Sequence, residues 1–295
     1  MSIQLRLITV VAMAIWGSTF VAMKVLVVDL PPMFILFWRM VFALGAFILL
    51  WKWVFKGNRY QSGDIFYFIL MGLFEPCLYF MLESEALVHT SAGQAGMVTA
   101  LFPIMLAVAA YWFFAERVGR FQVFGLFLGV AGVVWMTLVS EQVEMAPNPL
   151  LGNSLEALAM MSAIGYTLMV KRLSSRYTPL FLTSLQAVAG IAFFGVGLMF
   201  EVPPEKVEVH HWWILAYLGV GATLGAYGLY NYVVSKVPAS QVAGYINLIP
   251  VFAVGCSVVF LGEVIGLTQL MAMMLIFVGI ALSGRASGKV NPVSN

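Results

Sequence analysis

The chain has 295 residues, of which 62% are hydrophobic and 9% charged, and its formal net charge is +2. A soluble domain carries about 25% charged and about 45–50% apolar residues. A water-exposed globular surface is therefore excluded, and so small a positive charge argues against a nucleic-acid partner. The apolar residues come in runs of about 20, the length that crosses a hydrocarbon core as helix. They do not alternate as barrel strands would.

In chain order the runs predict an all-α polytopic membrane protein of ten transmembrane helices. They fall at about 4–25, 33–54, 64–86, 93–114, 120–139, 150–170, 179–200, 212–234, 240–261 and 266–284. The first contains Val11-Ala12-Met13-Ala14, a faint signal-peptidase pattern. Its run is long enough to span and many more follow, so retention is expected. Turn residues punctuate the breaks, as in Asp29-Leu30-Pro31-Pro32, Lys56-Gly57-Asn58-Arg59 and Pro203-Pro204-Glu205-Lys206. Cys77 and Cys256 both lie inside apolar runs, which argues against a disulfide framework or thiolate metal site.

The cations then fix an orientation. Of fifteen Lys and Arg, twelve fall on the side of the N-terminus: Arg6, Lys52, Lys56, Arg59, Arg117, Arg120, Lys171, Arg172, Arg176, Lys236, Arg285 and Lys289. Lys24 and Lys206 fall on the other side, and Arg39 within a span. Cytoplasmic loops concentrate Lys and Arg, so both termini are expected in the cytoplasm of a cell (inner) membrane protein. The opposite loops hold Glu141, Glu144, Glu201, Glu205 and Glu208.

The chain also aligns with itself. Gln94 and Gln241, Leu101 and Leu248, Pro103 and Pro250, and Glu116 and Glu263 are each 147 positions apart. Gly17 and Gly165, Lys24 and Arg172, and Pro31 and Pro179 are 148 apart. The reading is a first five-helix repeat at 1–140, an outer linker at 141–149, a second repeat at 150–285 and a cytoplasmic tail at 286–295. Five is odd, so the second repeat enters the membrane inverted, an architecture associated with secondary transport from a midplane site.

Three stretches carry a family resemblance. They are Ala14-Ile15-Trp16-Gly17-Ser18-Thr19-Phe20; Ser91-Ala92-Gly93-Gln94 with Leu101-Phe102-Pro103 and Glu116-Arg117-Val118-Gly119; and Pro238-Ala239-Ser240-Gln241 with Leu248-Ile249-Pro250 and Gly262-Glu263. Together they resemble the EamA family of the drug/metabolite transporter superfamily over nearly the whole chain. The resemblance implies ten helices around a central cavity lined mainly by the first, third, fourth, sixth, eighth and ninth. It also implies amino acids, nucleosides, other metabolites or drugs as cargo, often exported.

Candidate substrate-binding residues are Trp16, Glu75, Tyr79, Glu83, Gln94, Tyr166, Tyr227, Tyr230, Asn231, Gln241, Tyr245 and Asn247. Glu75 precedes Pro76 at the middle of the third helix, where a carboxylate needs a cavity or a partner. It is the candidate proton site. Proline there weakens the helix and frees a carbonyl. Glu75, Tyr79 and Glu83 are spaced as one polar stripe, against which stands a structural ion pair with Arg39. Tyr227, Tyr230 and Asn231 share a face and should look into the bundle. Gln94 and Gln241 read equally as hydrogen-bond glue among small residues. Trp16 and Tyr166 are aromatic walls or ordinary core. Glu116 and Glu263 are expected to cap the helices that follow them. Gly125-x-x-x-Gly129 and Gly221-x-x-x-Gly225 read as packing signals.

No metal motif, nucleophile elbow or phosphate loop is present, and His89, His210 and His211 fall in predicted outer loops. No enzyme activity and no cofactor are expected. The partners are a small-molecule substrate and the lipid bilayer, with proton coupling through Glu75; no oligomeric state follows. The reading is an alternating-access secondary transporter, an exporter of amino acids or related metabolites. Its alternatives are a multidrug, nucleoside or sugar-derivative transporter of the same fold, then an intramembrane enzyme or a channel.

Overall fold

The computed structural model describes residues 1–114, 120–234, 236 and 245–286. Among these residues ten longer helices follow one another, with a single turn of helix at Trp51–Val54 between the second and third, and no strand forms. They are α1 (Ile3–Asp29), α2 (Pro32–Leu49), α3 (Asp64–His89, interrupted midway), α4 (92–114), α5 (Arg120–Leu138), α6 (Pro149–Leu173), α7 (Pro179–Phe200), α8 (209–234), α9 (Ile249–Leu261) and α10 (Leu267–Ala286). Five of them, α1, α2, α3, α7 and α8, are long and apolar enough to cross a membrane. Shorter apolar helices lie within α4, α5, α9 and α10. The most polar of the ten is α6, whose first half carries Asn153, Ser154 and Glu156.

Local chemistry sets the starts. The side chains of Ser2, Ser91, Asn148 and Thr178 accept from the amides of Leu5, Gln94, Leu151 and Phe181, satisfying donors that a first turn leaves open. Pro32, Pro149 and Pro179 occupy first turns, where a missing N–H costs nothing. Gly262 ends α9 at φ 65, a conformation glycine adopts without strain.

The helices meet where side chains are small. Helix α5 lies along α10, with Gly279 against the backbone of Gly125 and Gly129. Gly96 of α4 sits against Ala253 of α9, and Gly17 of α1 against Phe252 and Ala253. Helix α6 runs antiparallel to α3, so Gly152 meets Ala86 and Thr90 while Gly165 meets Phe74. The other glycine pair behaves differently. Gly221 faces the ring of its own helix's Tyr217 and Gly225 has open space, so this spacing marks no crossing. The main core cluster draws Phe20, Leu26, Leu36, Met40, Phe80, Phe194, Leu218 and Ala253 from α1, α2, α3, α7, α8 and α9.

Charged side chains close helix ends belonging to distant stretches of chain. Glu201 accepts from the amides of Met33 and Phe34 at the start of α2 (3.2 and 3.0 Å). Glu263 accepts from Ala92 N–H (2.8 Å), Gly93 N–H (3.1 Å) and Ser91 Oγ (2.9 Å) at the start of α4. The capping chemistry expected of Glu263 is thus present, but it serves α4 rather than the following α10. Glu116 lies outside the described residues. Lys24, near the end of α1, is buried and donates to the carbonyls of Leu87 and Thr90 at the end of α3. A cation at one helix's C-terminus and an anion at the next helix's N-terminus both match the helix dipoles. At the other end of the molecule Asp64 bonds Tyr177 (2.8 Å) and pairs with Arg176.

Candidate functional site

The site grows from one break. Within α3 the helical dihedrals stop at Glu75 (φ −148, ψ 120), and Pro76 follows through a cis peptide. Proline has no N–H, so carbonyls near it lose their helical partners. Other helices supply replacements. Ser162 of α6 donates to Phe74 O (2.7 Å), and Gln186 of α7 donates through Nε2 to Glu75 O (3.1 Å). Tyr166 OH lies 3.4 Å from Gln186 Oε1. The buried Glu75 carboxylate accepts from Tyr227 OH of α8 at 2.9 Å. Trp16 of α1 then packs on Tyr227 (ring centroids 5.0 Å apart, edge-on) and on Tyr230 (5.4 Å). Five helices thus meet at this break, one of them on the carboxylate itself.

A second polar cluster sits further along α3. Tyr79 OH donates to Glu83 Oε1 at 2.9 Å. Arg39 of α2 places Nη1 4.0 Å from Glu83 Oε2 and its guanidinium 3.9 Å from the centre of the Phe80 ring. The break therefore divides the expected stripe. Tyr79 and Glu83 share a face, whereas the Glu75 carboxylate is bonded to Tyr227 and meets Glu83 and Arg39 only through longer-range charge. Arg39 pairs with Glu83, not Glu75. Beside this cluster Glu156 of α6 is fully buried, and neither of its oxygens has a hydrogen-bond partner.

The remaining candidates divide by place. Gln94 sits at the end of the molecule where α3 finishes. Its Oε1 accepts from Asn153 Nδ2 (3.1 Å), and Asn153 also donates to Thr137 Oγ1 (2.9 Å). This is the glue arrangement, joining α4, α5 and α6. Gln94 also lines a cavity of about 540 Å³ between α4, α5, α9 and α10, with Met97, Met136, Glu263, Gln269 and Met273. That cavity stands apart from Glu75. Tyr245 and Asn247 precede α9, partly buried, with Asn247 Oδ1 lacking a partner. Gln241 and the side chain of Asn231 lie outside the described residues.

Sequence reasoning missed Glu156, Gln186 and Ser162. Glu156 was open to discovery, being the single acid in the predicted span 150–170. The histidines also moved: His89 closes α3, and His210 and His211 open α8 rather than lying in loops. With Asp29 the latter two bring ligand-type atoms within 4.8 Å of one another. His211 Nδ1, however, accepts from the Glu208 amide (3.2 Å), which leaves the proton on Nε2, 3.0 Å from Asp29 Oδ2. A metal at Nε2 would have to displace that proton, so Asp29 and His211 are joined as a hydrogen-bonded pair, with the His210 ring 4.0 Å from that of His211.

Comparison with known proteins adds the following. The model of the EamA-like transporter family matches residues 6–138 and again 150–285. A protein of Synechocystis sp., named only as an uncharacterised transporter, is 27% identical over 91% of this chain and 86% of its own length. Protein PagO of Salmonella typhimurium is 25% identical over 91% of this chain and 88% of its own. A solved crystal structure superposes with a TM-score of 0.67 over 97% of this chain and 99% of that one. At 19% identity, that likeness speaks to fold alone.

Proposed function

Since this chain belongs to the EamA-like transporter family, we propose that it carries a small metabolite bearing an amine, of the amino-acid type, across a cell membrane by alternating access. Ten spans, two inverted five-helix halves and cytoplasmic termini belong to this proposal. The helix pairing supports it. An exchange of halves would turn α1 into α6, α2 into α7, α3 into α8, α4 into α9 and α5 into α10. The observed neighbours respect that exchange: α2 packs on α7, α4 on α9 and α5 on α10, while α1 packs on α8 as α6 does on α3. Two similar halves around one centre give inward- and outward-open states of comparable energy.

The observation that carries the reading is the Glu75–Tyr227 bond at the break of α3. It joins a carboxylate from the first half to a phenol from the second, with Trp16 and Tyr230 alongside. A carboxylate held at mid-membrane is costly and is characteristic of cargo or ion pathways. Here it can meet an ammonium group, while the aromatic rings suit the rest of a small cargo. Family membership and the relatives' names fit a transporter and not an enzyme.

The test is counterflow in proteoliposomes. Vesicles holding the full chain are loaded with an unlabelled amino-acid mixture, and entry of labelled amino acids is followed. Saturable exchange that needs the internal load supports the reading. Absence of exchange for amino acids, with exchange for nucleosides or organic cations, would overturn the amino-acid assignment while keeping the mechanism.

A further inference from the structure

Glu156 has a place that neither the family match nor the Glu75 site accounts for. Helix α6 runs antiparallel to α3, with Gly152 beside Ala86 and Thr90 and Ser162 bonded to Phe74 O. Between those two levels, Glu156 lies alongside the Glu83 region. The two carboxyls are near enough to repel, and Tyr79 is within electrostatic reach of Glu156. Glu83 has two partners, the Tyr79 hydroxyl and Arg39. Glu156 has none, and it is 0% exposed.

Glu83 and Glu156, with Glu75 also within charge reach of Arg39, have one guanidinium among them, so the acids of this dry interior outnumber its cation. A bare buried charge costs several kcal/mol, about the cost of breaking a buried ion pair. The bundle therefore needs one more positive charge at this level. Among the described side chains Arg39 is the cation that meets these acids; Lys24, buried one turn further along α3, is taken up by the carbonyls of Leu87 and Thr90. Helix α3 brings Glu75, Tyr79 and Glu83; the described side chains of 92–106 on α4 and 123–140 on α5 include no titratable group. Arg39 faces Glu83 and Phe80, yet its own Nε and Nη1 have no hydrogen-bond acceptor. Glu156 has acceptors without donors and Arg39 has donors without acceptors, and Glu83 is a neighbour of both.

We propose that Glu156 and Glu83 form a two-carboxylate proton site balanced by Arg39, separate from the Glu75–Tyr227 cargo site. The site holds one proton more when Arg39 is paired with Glu83 alone. It gives that proton up when the guanidinium is drawn toward Glu156. Moving one guanidinium between these two acids, as the halves rock, couples proton release to the conformational change. No bond beyond O–H is made or broken, and the proton passes to water on whichever side is open. This rests on the transporter reading for its use but not for its existence. It also takes the proton role away from Glu75.

The experiment is H/D difference infrared spectroscopy on the full chain in lipid vesicles, stepped across a range of pH. It needs no cargo. A protonated carboxylic acid has a carbonyl band distinct from carboxylate absorption. One such band should vanish in Glu156→Gln, shift without vanishing in Glu156→Asp, and persist in Glu75→Gln. Should Glu156→Gln fail to insert, the Glu156→Asp shift decides alone. A band that ignores both Glu156 variants, or that is lost with Glu75→Gln, overturns the proposal. A second arm uses the exchange assay with an imposed pH gradient. The ratio of gradient-driven to ungraded uptake should fall to one in Glu156→Gln and shift its pH dependence in Glu156→Asp; a ratio and pH dependence equal to the unsubstituted chain's in both also overturn it. Failure of exchange in every chain would count against the transport reading and leave the infrared result standing.

Discussion

Pro76 has no amide hydrogen to give, and the carbonyls released beside it are taken by Ser162 and Gln186 from two other helices. The Glu75 carboxylate is what remains facing the middle of the bundle. Glu75→Gln keeps the shape and an acceptor for Tyr227 but removes the charge. Counterflow of amine-bearing cargo should fall at least about tenfold, equivalent to about 1.4 kcal/mol of lost ion pairing, while thermal unfolding in detergent changes little. Uptake equal to the unsubstituted chain would remove Glu75 from the mechanism. Tyr227→Phe deletes one interhelical hydrogen bond, worth about 1 kcal/mol in a membrane bundle. Its melting temperature should drop slightly, and an unchanged melt would show the bond to be energetically silent. Glu75 was legible because an acid before a proline at mid-span is rare and costly. Gln186 was not, since a neutral amide in a span signals nothing until a freed carbonyl appears opposite it.

At the scale of helices, the crossing points separate glycines that look alike in the sequence. A Cβ on Gly279 would lie 2.6 Å from Gly125 O, a backbone atom that cannot swing aside. Gly279→Ala should therefore destabilise by about 1–3 kcal/mol, the usual cost of overpacking. A Cβ on Gly225 would meet only Val220 O, at 3.8 Å. Gly225→Ala should be neutral or stabilise by up to about 1 kcal/mol through lost chain freedom. Urea or thermal unfolding of the two variants side by side tests the contrast; equal effects would mean that α5 and α10 are not closely packed. The spacing Gly-x-x-x-Gly was readable in both places, but which pair touches a neighbour depends on helix rotation, which spacing does not carry. Helix caps show the same division. The capping role of Glu263 could be read from its type and setting, whereas its choice of α4 could not, because that choice depends on how distant ends meet. Glu263→Ala should cost about 1–2 kcal/mol, the usual loss of an N-terminal cap. An unaltered melting curve would mean that water replaces the carboxylate at no cost.

For the whole molecule, composition alone revealed helices and membrane, because long apolar runs admit few other structures. Family membership was legible in Trp16-Gly17 and in the paired Pro103/Glu116 and Pro250/Glu263 spacings. The pairing of Arg39 with Glu83 could be read as an alternative from the sequence, but the place of Glu156 beside Glu83 could not, because it comes from a third helix and arrives only on folding. The two halves also prove interdependent. Residues 1–140 made alone lack Glu201 and Glu263, which complete α2 and α4. Limited proteolysis should cut that fragment readily in membranes and should cut it more slowly when 150–295 is made in the same cells. Equal resistance with and without the second fragment would show that the first half stands by itself.

Glu263 has a further bearing on how the protein is made. A ribosome begins α4 some 170 residues before it reaches the carboxylate that closes it. Until then the first amides of that helix must be served by water or lipid headgroups, close to the membrane surface. The N-terminal half can thus be threaded into the bilayer early but cannot settle into its final depth. Assembly of the bundle is set by the last stretch to leave the exit tunnel, and premature termination anywhere before residue 263 should yield an inserted yet loosely held product, a ready substrate for membrane quality-control proteases.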